Sequence, residues 1–336
     1  MREPLAGVVE VVRPKGGAPG TDERLDLSLV IPIYNERGNL GLLVAQIQSA
    51  LEPTRLSWEV IGVDDGGNDG SAGELTRLAE TEPRLRLIQL SRRFGQTAAI
   101  SAGIAACRGE FVALLDADLQ NDPADIPSMV DRLRAGFDVV SGWRINRQDR
   151  WLTRKLPSEL ANVFISWVSG VKLHDYGCTL KLYRREWLKD LRLFGEMHRL
   201  IPLYLAWQGA RIIEVPVKHR TRAAGRSKYG LSRLPRVLLD LLVVMFLIRY
   251  SDRPMRIFGG FGLFSMGVAG LTASWAIYRK IAEGVSFILT PLPLLTVFFF
   301  LVGVLAILMG LLAEIMIRTY YHAAPASFYR VKESSE

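Results

Sequence analysis

The chain has 336 residues, 49% of them hydrophobic, and 42 Lys and Arg against 34 Asp and Glu give a formal net charge of +8. That length holds one large domain with an appendage, or two domains, and the basic excess points to nucleic acid, an anionic membrane surface or a phosphorylated substrate. Two cysteines, Cys107 and Cys178, are too few for a disulfide framework, which excludes the small secreted scaffolds and favours a reducing compartment.

Residues 1–26, with "PKGGAPGTDERLD", read as a disordered leader. A domain over 27–230 follows, in which strand-like and helix-like runs alternate. "LSLVIPIY" (27–34), "WEVIGVDD" (58–65), "LRLIQL" (85–90) and "EFVALLDAD" (110–118) read as strands. "NLGLLVAQIQSAL" (39–51), "AGELTRLAE" (72–80) and "QTAAISAGIAAC" (96–107) read as helices. Val-, Ile- and Leu-rich strands alternating with helices imply an α/β fold, a mostly parallel sheet covered on both faces. Residues 231–253 contain "LPRVLLDLLVVMFLIRY", a basic start and an apolar body that suit a helix lying along a membrane surface. Asp240 argues against reading it as a span.

A transmembrane hairpin is expected over 254–318, with spans at about 255–279 and 287–316. Residues 258–278 run 21 positions without a charge and residues 285–313 run 29, where a spanning helix needs about 20. Arg233, Arg236, Arg249, Arg253 and Arg256 precede the hairpin, and Arg318, Arg330 and Lys332 follow it, against Arg279 and Lys280 in its loop. The positive-inside bias puts the 27–230 domain, both termini and the tail, 319–336, in the cytoplasm, on a multi-pass protein of the cytoplasmic membrane.

In an open α/β sheet, ligands bind beyond the carboxyl ends of the strands. Three strand ends carry unusual chemistry here: "IPIYNE" with Pro32, Tyr34 and Glu36; "VDDGGNDGS" with Val63, Asp64 and Asp65; and "DADLQNDP" with Asp116, Ala117, Asp118 and Gln120. Tyr34 can stack on a base, and Asp64 or Asp65 can accept hydrogen bonds from base or ribose. Asp116, Asp118 and Gln120 present hard oxygen donors that suit Mg²⁺ or Mn²⁺, with a substrate diphosphate completing the shell. An EF-hand is excluded, because its glycine position would hold Asn121 and its bidentate glutamate position Pro127. Asp122, followed by Pro123, reads as a helix cap. His174, His198, His219 and His322 form no ligand spacing.

Together with "LSRRFGQTAAISAG", "GWRINR", "HDYGCTLKLYRRE" and "RAAGRSKYG", these motifs resemble the GT-A glycosyltransferases of family 2. The two terminal spans narrow the resemblance to the polyisoprenyl-phosphate glycosyltransferases, and "DYGC" and "RSKY" to their undecaprenyl-phosphate aminoarabinose branch. The resemblance implies a Rossmann-like GT-A sheet and a metal-dependent, inverting transfer of one sugar. The donor would be a nucleotide-sugar, by preference a UDP-sugar, and the acceptor a polyprenyl phosphate; a homo-oligomer is also implied. Pro32, Tyr34, Glu36, Val63, Asp64 and Asp65 match the nucleotide residues, and Asp116, Asp118 and Gln120 the metal and diphosphate site, with Ala117 between them. Arg144 matches an arginine facing the donor phosphates, and Asp175 an acid near the sugar. Catalytic roles therefore fall to Asp118 and Asp175. Arg222 and Lys228 match cations near the phosphates, and Arg226 joins them on position. Gly67 stands where the family pattern has Ser, and Arg93 where Asn is common.

The stretch 218–236 holds seven Lys and Arg and no acid. A nucleic-acid surface would interleave stacking aromatics, of which it has only Tyr229, so the lipid and substrate phosphates are the better partners. A processive polysaccharide synthase would show "QxxRW", and the chain has only "QDRW" at 148–151. A non-catalytic membrane scaffold is the remaining rival, and the intact acidic and basic motifs argue against it.

Overall fold

The computed structural model describes residues 10–12, 25–145, 162, 165–166, 170–189, 191, 193, 197–220 and 254–323. Its elements are β1 (Glu10–Val12), β2 (Leu27–Ile33), α1 (Arg37–Leu51), β3 (Trp58–Asp64), α2 (Ser71–Thr81), β4 (Leu85–Gln89), α3 (Gln96–Ala106), β5 (Phe111–Leu114), α4 (Ile126–Arg134), β6 (Val139–Trp143), β7 (Lys181–Arg184), α5 (Ile201–Trp207), β8 (Ile212–Pro216), α6 (Met255–Ala282) and α7 (Leu292–Ala323). They fall into two units, Met1–Asp240 and Leu241–Glu336.

The first unit is built about β2. Leu27, Leu29, Ile31 and Ile33 pack on one face with α1, α2 and α4, and Val30 packs on the other with α3 and α5. Each of the five is at most 2% exposed, and burial of such a side chain contributes about 1.5–3 kcal/mol. A strand apolar on both sides belongs inside a covered sheet, and the sheet order is β1-β4-β3-β2-β5-β7-β6-β8. β2, β3, β4 and β5 are parallel, as are β6 and β8, while β7 runs antiparallel between β5 and β6. The expected mostly parallel α/β sheet is therefore present.

Two local expectations change. Glu10–Val12, read as part of a disordered leader, pair antiparallel with β4 and cover an edge that would otherwise expose its ladder groups. The strand expected over 110–118 ends at Leu114. The Leu115 amide still donates to the Val30 carbonyl at 3.1 Å, but Leu119 adopts a left-handed φ of 62°, which turns 116–120 into a corner. Asp122 caps the turn Pro123–Asp125 as expected, accepting from the Ala124 amide at 3.1 Å.

At the amino ends of the parallel strands, Glu59 is 1% exposed. It accepts from Ser28 Oγ at 2.7 Å, Arg86 Nη1 at 2.8 Å and Arg108 Nε at 3.0 Å. Burial opposes its charge, yet these donors hold its pKa below the usual carboxylate range.

In the second unit, α6 and α7 are both long and apolar enough to cross a membrane. The second span begins later than the expected 287, because Phe287–Leu289 form a single 3₁₀ turn and Pro291 and Pro293 bracket the start of α7 at Leu292. The helix then continues through Ala323, into the segment read as a tail. Small residues set the helix contact: a Cβ on Gly262 would lie 2.8 Å from the Gly303 carbonyl oxygen. Thr272 and Thr296 hydroxyls meet across the pair at 2.9 Å. The juxtamembrane segment 231–253 lies outside the described residues.

Candidate active site

The strand order reverses at β2, since β3 and β4 lie on one side and the chain crosses through α3 to place β5 on the other. The carboxyl ends of β2, β3 and β5 therefore surround a switch point, where open sheets bind ligands. All three acidic motifs end there.

The corner after β5 holds its two carboxylates tightly. Gln96 Nε2 donates to Asp116 Oδ1 at 2.9 Å, and Thr179 Oγ1 to Asp116 Oδ2 at 2.5 Å. Asp118 Oδ1 accepts the Gln120 amide at 3.2 Å. Burial, then repulsion from Asp118, pushes the Asp116 pKa up to about 6. Gln120 also offers its carbonyl to the Arg220 amide at 2.8 Å, and Arg220 Nη2 reaches Asp122 Oδ2 at 2.5 Å. No group of three acids, histidines or cysteines forms a metal cage among the described residues. Two neighbouring carboxylates fit a divalent ion that draws its remaining ligands from substrate phosphate and water, the usual arrangement for Mg²⁺.

The loops after β2 and β3 are stitched together. Asn35, at φ 57°, accepts the Asn68 amide through Oδ1 at 2.9 Å, and the Glu36 amide donates to Ser71 Oγ at 3.1 Å. The Glu36 carboxylate accepts from Asn39 Nδ2 at 2.7 Å. The adjacent acids of "VDD" divide their roles. Asp65 takes the Phe94 amide at 2.7 Å and the Gly95 amide at 2.9 Å, clamping the start of α3. Asp64 is fully buried, and its Oδ2 has no hydrogen-bond partner among the described residues. Burial raises the Asp64 pKa, and the charges of Asp69 and Asp65 add to this. A buried orphan oxygen at a strand end suits a ligand N–H.

The family departures have physical readings. At Gly67 a Cβ would lie 2.9 Å from Asn35 Oδ1, so a side chain there would displace the Asn35 amide. Its amide meets Asp64 Oδ1 at 3.4 Å. Arg93 stacks its guanidinium 4.2 Å from the centre of the Tyr34 ring. Pro32 and Val63 are partners in the β2–β3 register, and Val63 and Ala117 are buried in the core.

Arg144 and Asp175 meet each other. Nε and Nη2 of Arg144 donate to the two Asp175 oxygens at 2.6 and 2.9 Å, a bidentate pair. Glu214 on β8 holds the turn from behind, accepting the His174 and Asp175 amides at 2.9 and 3.2 Å. The His174 ring stacks on Trp143 at 4.4 Å. Thr97 Oγ1 and His198 Nδ1 lie 2.7 Å apart, which brings the turn Met197–Arg199 to α3. The Arg199 charge, with that of Lys181, opposes the rise in the Asp116 pKa. Burial pushes the Cys107 and Cys178 thiols up to about 12 and about 11, so both are inert packing groups.

Arg222, Arg226 and Lys228 lie outside the described residues. Gln96, Thr179, Lys181, Arg199 and Glu214 were not singled out by the sequence. Gln96 and Thr179 do sit inside the quoted motifs "FGQTAA" and "DYGCTLK", which was the available signal. Glu214 had none, since its role depends on β8 lying beside β6.

Residues 28–192 match the model of the family described as Glycosyl transferase family 2. A dodecaprenyl-phosphate galacturonate synthase from Rhizobium johnstonii is 44% identical over 326 residues, 96% of each chain. An undecaprenyl-phosphate 4-deoxy-4-formamido-L-arabinose transferase from Aeromonas hydrophila is 36% identical over 302 residues, covering 89% of this chain and 90% of that one. Among solved structures, glucosyl-3-phosphoglycerate synthase from Mycobacterium tuberculosis, in complex with Mn²⁺, UDP and glucosyl-3-phosphoglycerate, superposes with a TM-score of 0.51 at 19% identity. That match covers 66% of this chain and 80% of the other, and shows the shared fold. The chain belongs to glycosyl transferase family 2 and is related along nearly its whole length to sugar transferases that act with polyprenyl phosphates.

Proposed function

We propose that the chain is an inverting transferase that moves one sugar from a UDP-sugar to a polyprenyl phosphate at the cytoplasmic face of a membrane. The observation that carries this reading is the corner after β5, where Asp116, pushed up to about 6, and Asp118 sit together at the switch point. These two residues, with Gln120 beside them, would hold Mg²⁺ or Mn²⁺. The bound cation would supply charge neutralisation to the departing diphosphate.

The chain's own groups fill the remaining roles. Asp64 Oδ2 accepts an N–H from the base, and the Tyr34–Arg93 stack walls that end of the site. Arg144 grips Asp175 through two N–H groups and fixes its carboxylate. A polyprenyl phosphate is already ionised near neutral pH, so its oxygen attacks without a strong base, and Asp175 orients rather than deprotonates. The described chain passes Gln120 at Arg220, and the basic residues that follow in the sequence, Arg222, Arg226 and Lys228, are given the role of serving both phosphates. The first sugar to try is a uronic acid, after the named activity of the 44% identical relative. The arginine distribution about the two spans supports a cytoplasmic position for both termini.

The test is nucleotide release by the purified full chain in lipid with Mn²⁺, polyprenyl phosphate and a panel of UDP-sugars, followed by mass spectrometry of the lipids. One glycolipid carrying one sugar is expected. Longer products would overturn single transfer, and no product with any donor would overturn the assignment.

A further inference from the structure

Lys181 opens β7 and is 2% exposed. A buried ammonium costs several kcal/mol unless it is well compensated. Yet Lys181 makes no ion pair among the described residues; its Nζ donates to the carbonyl oxygens of Tyr176, at 3.1 Å, and Cys178. The ladder places Lys181 opposite Leu114 of β5 and Ser141 of β6, level with the end of the strand that feeds the acidic corner.

Those two carbonyls sit inside a short segment whose other members do the site's work. Asp175 holds Arg144 at 2.6 Å, the Gly177 amide returns to Asp175 Oδ1 at 3.1 Å, and Thr179 Oγ1 donates to Asp116 at 2.5 Å. The acid on the sugar side and the contact to the diphosphate side are thus four residues apart on one strap. Lys181 fastens that strap between them.

We propose that Lys181 is a positioning residue that sets the spacing between Asp175 and Asp116, and so aligns acceptor and donor for transfer; this rests on the function proposed above. Misplacement of reacting groups by about 1 Å costs on the order of 10²-fold in rate. Recognition of the base, which the proposed function gives to the loops after β2 and β3, does not pass through Lys181.

The test compares the full-length enzyme with Lys181→Met, whose apolar side chain fills the same space without charge. kcat should fall about 100-fold while the donor KM stays within about threefold and the melting temperature holds or rises. Hydrogen exchange should quicken at the amides of 176–179. Lys181→Arg, which keeps a charged donor, should fold and retain kcat to within about tenfold. Wild-type-like kcat in Lys181→Met overturns the inference. So does a raised donor KM with kcat unchanged, or a lowered melting temperature with kcat per folded molecule intact. If the wild type itself turns over no donor, the proposed function fails instead, and unchanged exchange at 176–179 in Lys181→Met still rules out the strap.

Discussion

The two ends of the same sheet treat buried acids in opposite ways. At the amino ends of the strands, Glu59 is surrounded by Ser28, Arg86 and Arg108 and its pKa is lowered. At the carboxyl ends, Asp64 has an orphan oxygen, and the pKa values of Asp64 and Asp116 are both raised. The first end is complete without a ligand and serves stability. The second leaves Asp64 Oδ2 without a donor and sets Asp116 against the like charge of Asp118, an arrangement that a nucleotide and a cation would complete.

Substitutions at the two ends should therefore fail differently. Asp118→Ala should lower transfer by at least about 10³-fold, with circular dichroism and melting temperature unchanged; normal turnover would remove the metal corner from the account. Glu59→Gln should cost about 3 kcal/mol, because two arginines lose their charged partner. That is a fall of roughly 10 °C in melting temperature for a domain of this size, with kcat per folded molecule preserved.

Glu59 also sets a pH dependence. Its folded pKa lies below its unfolded one, so its contribution is full above about pH 4.3 and is lost as pH falls. Denaturant titrations from pH 6 to 3 should show a loss that Glu59→Gln does not. Asp64→Asn makes the sharpest contrast. It should leave stability within about 0.5 kcal/mol or raise it, since an unsatisfied buried acid is relieved, while UDP affinity drops about tenfold. A loss of stability equal to that of Glu59→Gln would erase the distinction. The smallest effect is expected of Gly67→Ala, about 1 kcal/mol, from the contact with Asn35.

What the sequence disclosed follows the same geography. The parallel strands β2 to β5 were legible because each is a continuous apolar run, and their acidic ends were legible because glycine, proline and aspartate cluster there. The cap at Asp122 was readable from Asp-Pro alone. In the half of the site built by 174–214, Asp175 was flagged by its motif but the contacts were not readable. The Arg144–Asp175 pair spans 31 residues, and Glu214 reaches back 39 residues to the Asp175 amide. Lys181 was not singled out, since no local pattern announces a buried ammonium. The division of labour between Asp64 and Asp65 was also hidden, because it depends on where the 94–95 amides fall after folding.

The reversed direction of β7 has a consequence for how this fold can diversify. A strand inserted against the grain delivers its entry loop, rather than its exit, to the face where the parallel strands finish. Residues 174–180 thus form a segment tied to Glu214 at one end and to Asp116 at the other, apart from the turns after β2 and β3. Exchanging that segment between relatives would change the Asp175 turn while the turns after β2 and β3 stay in place.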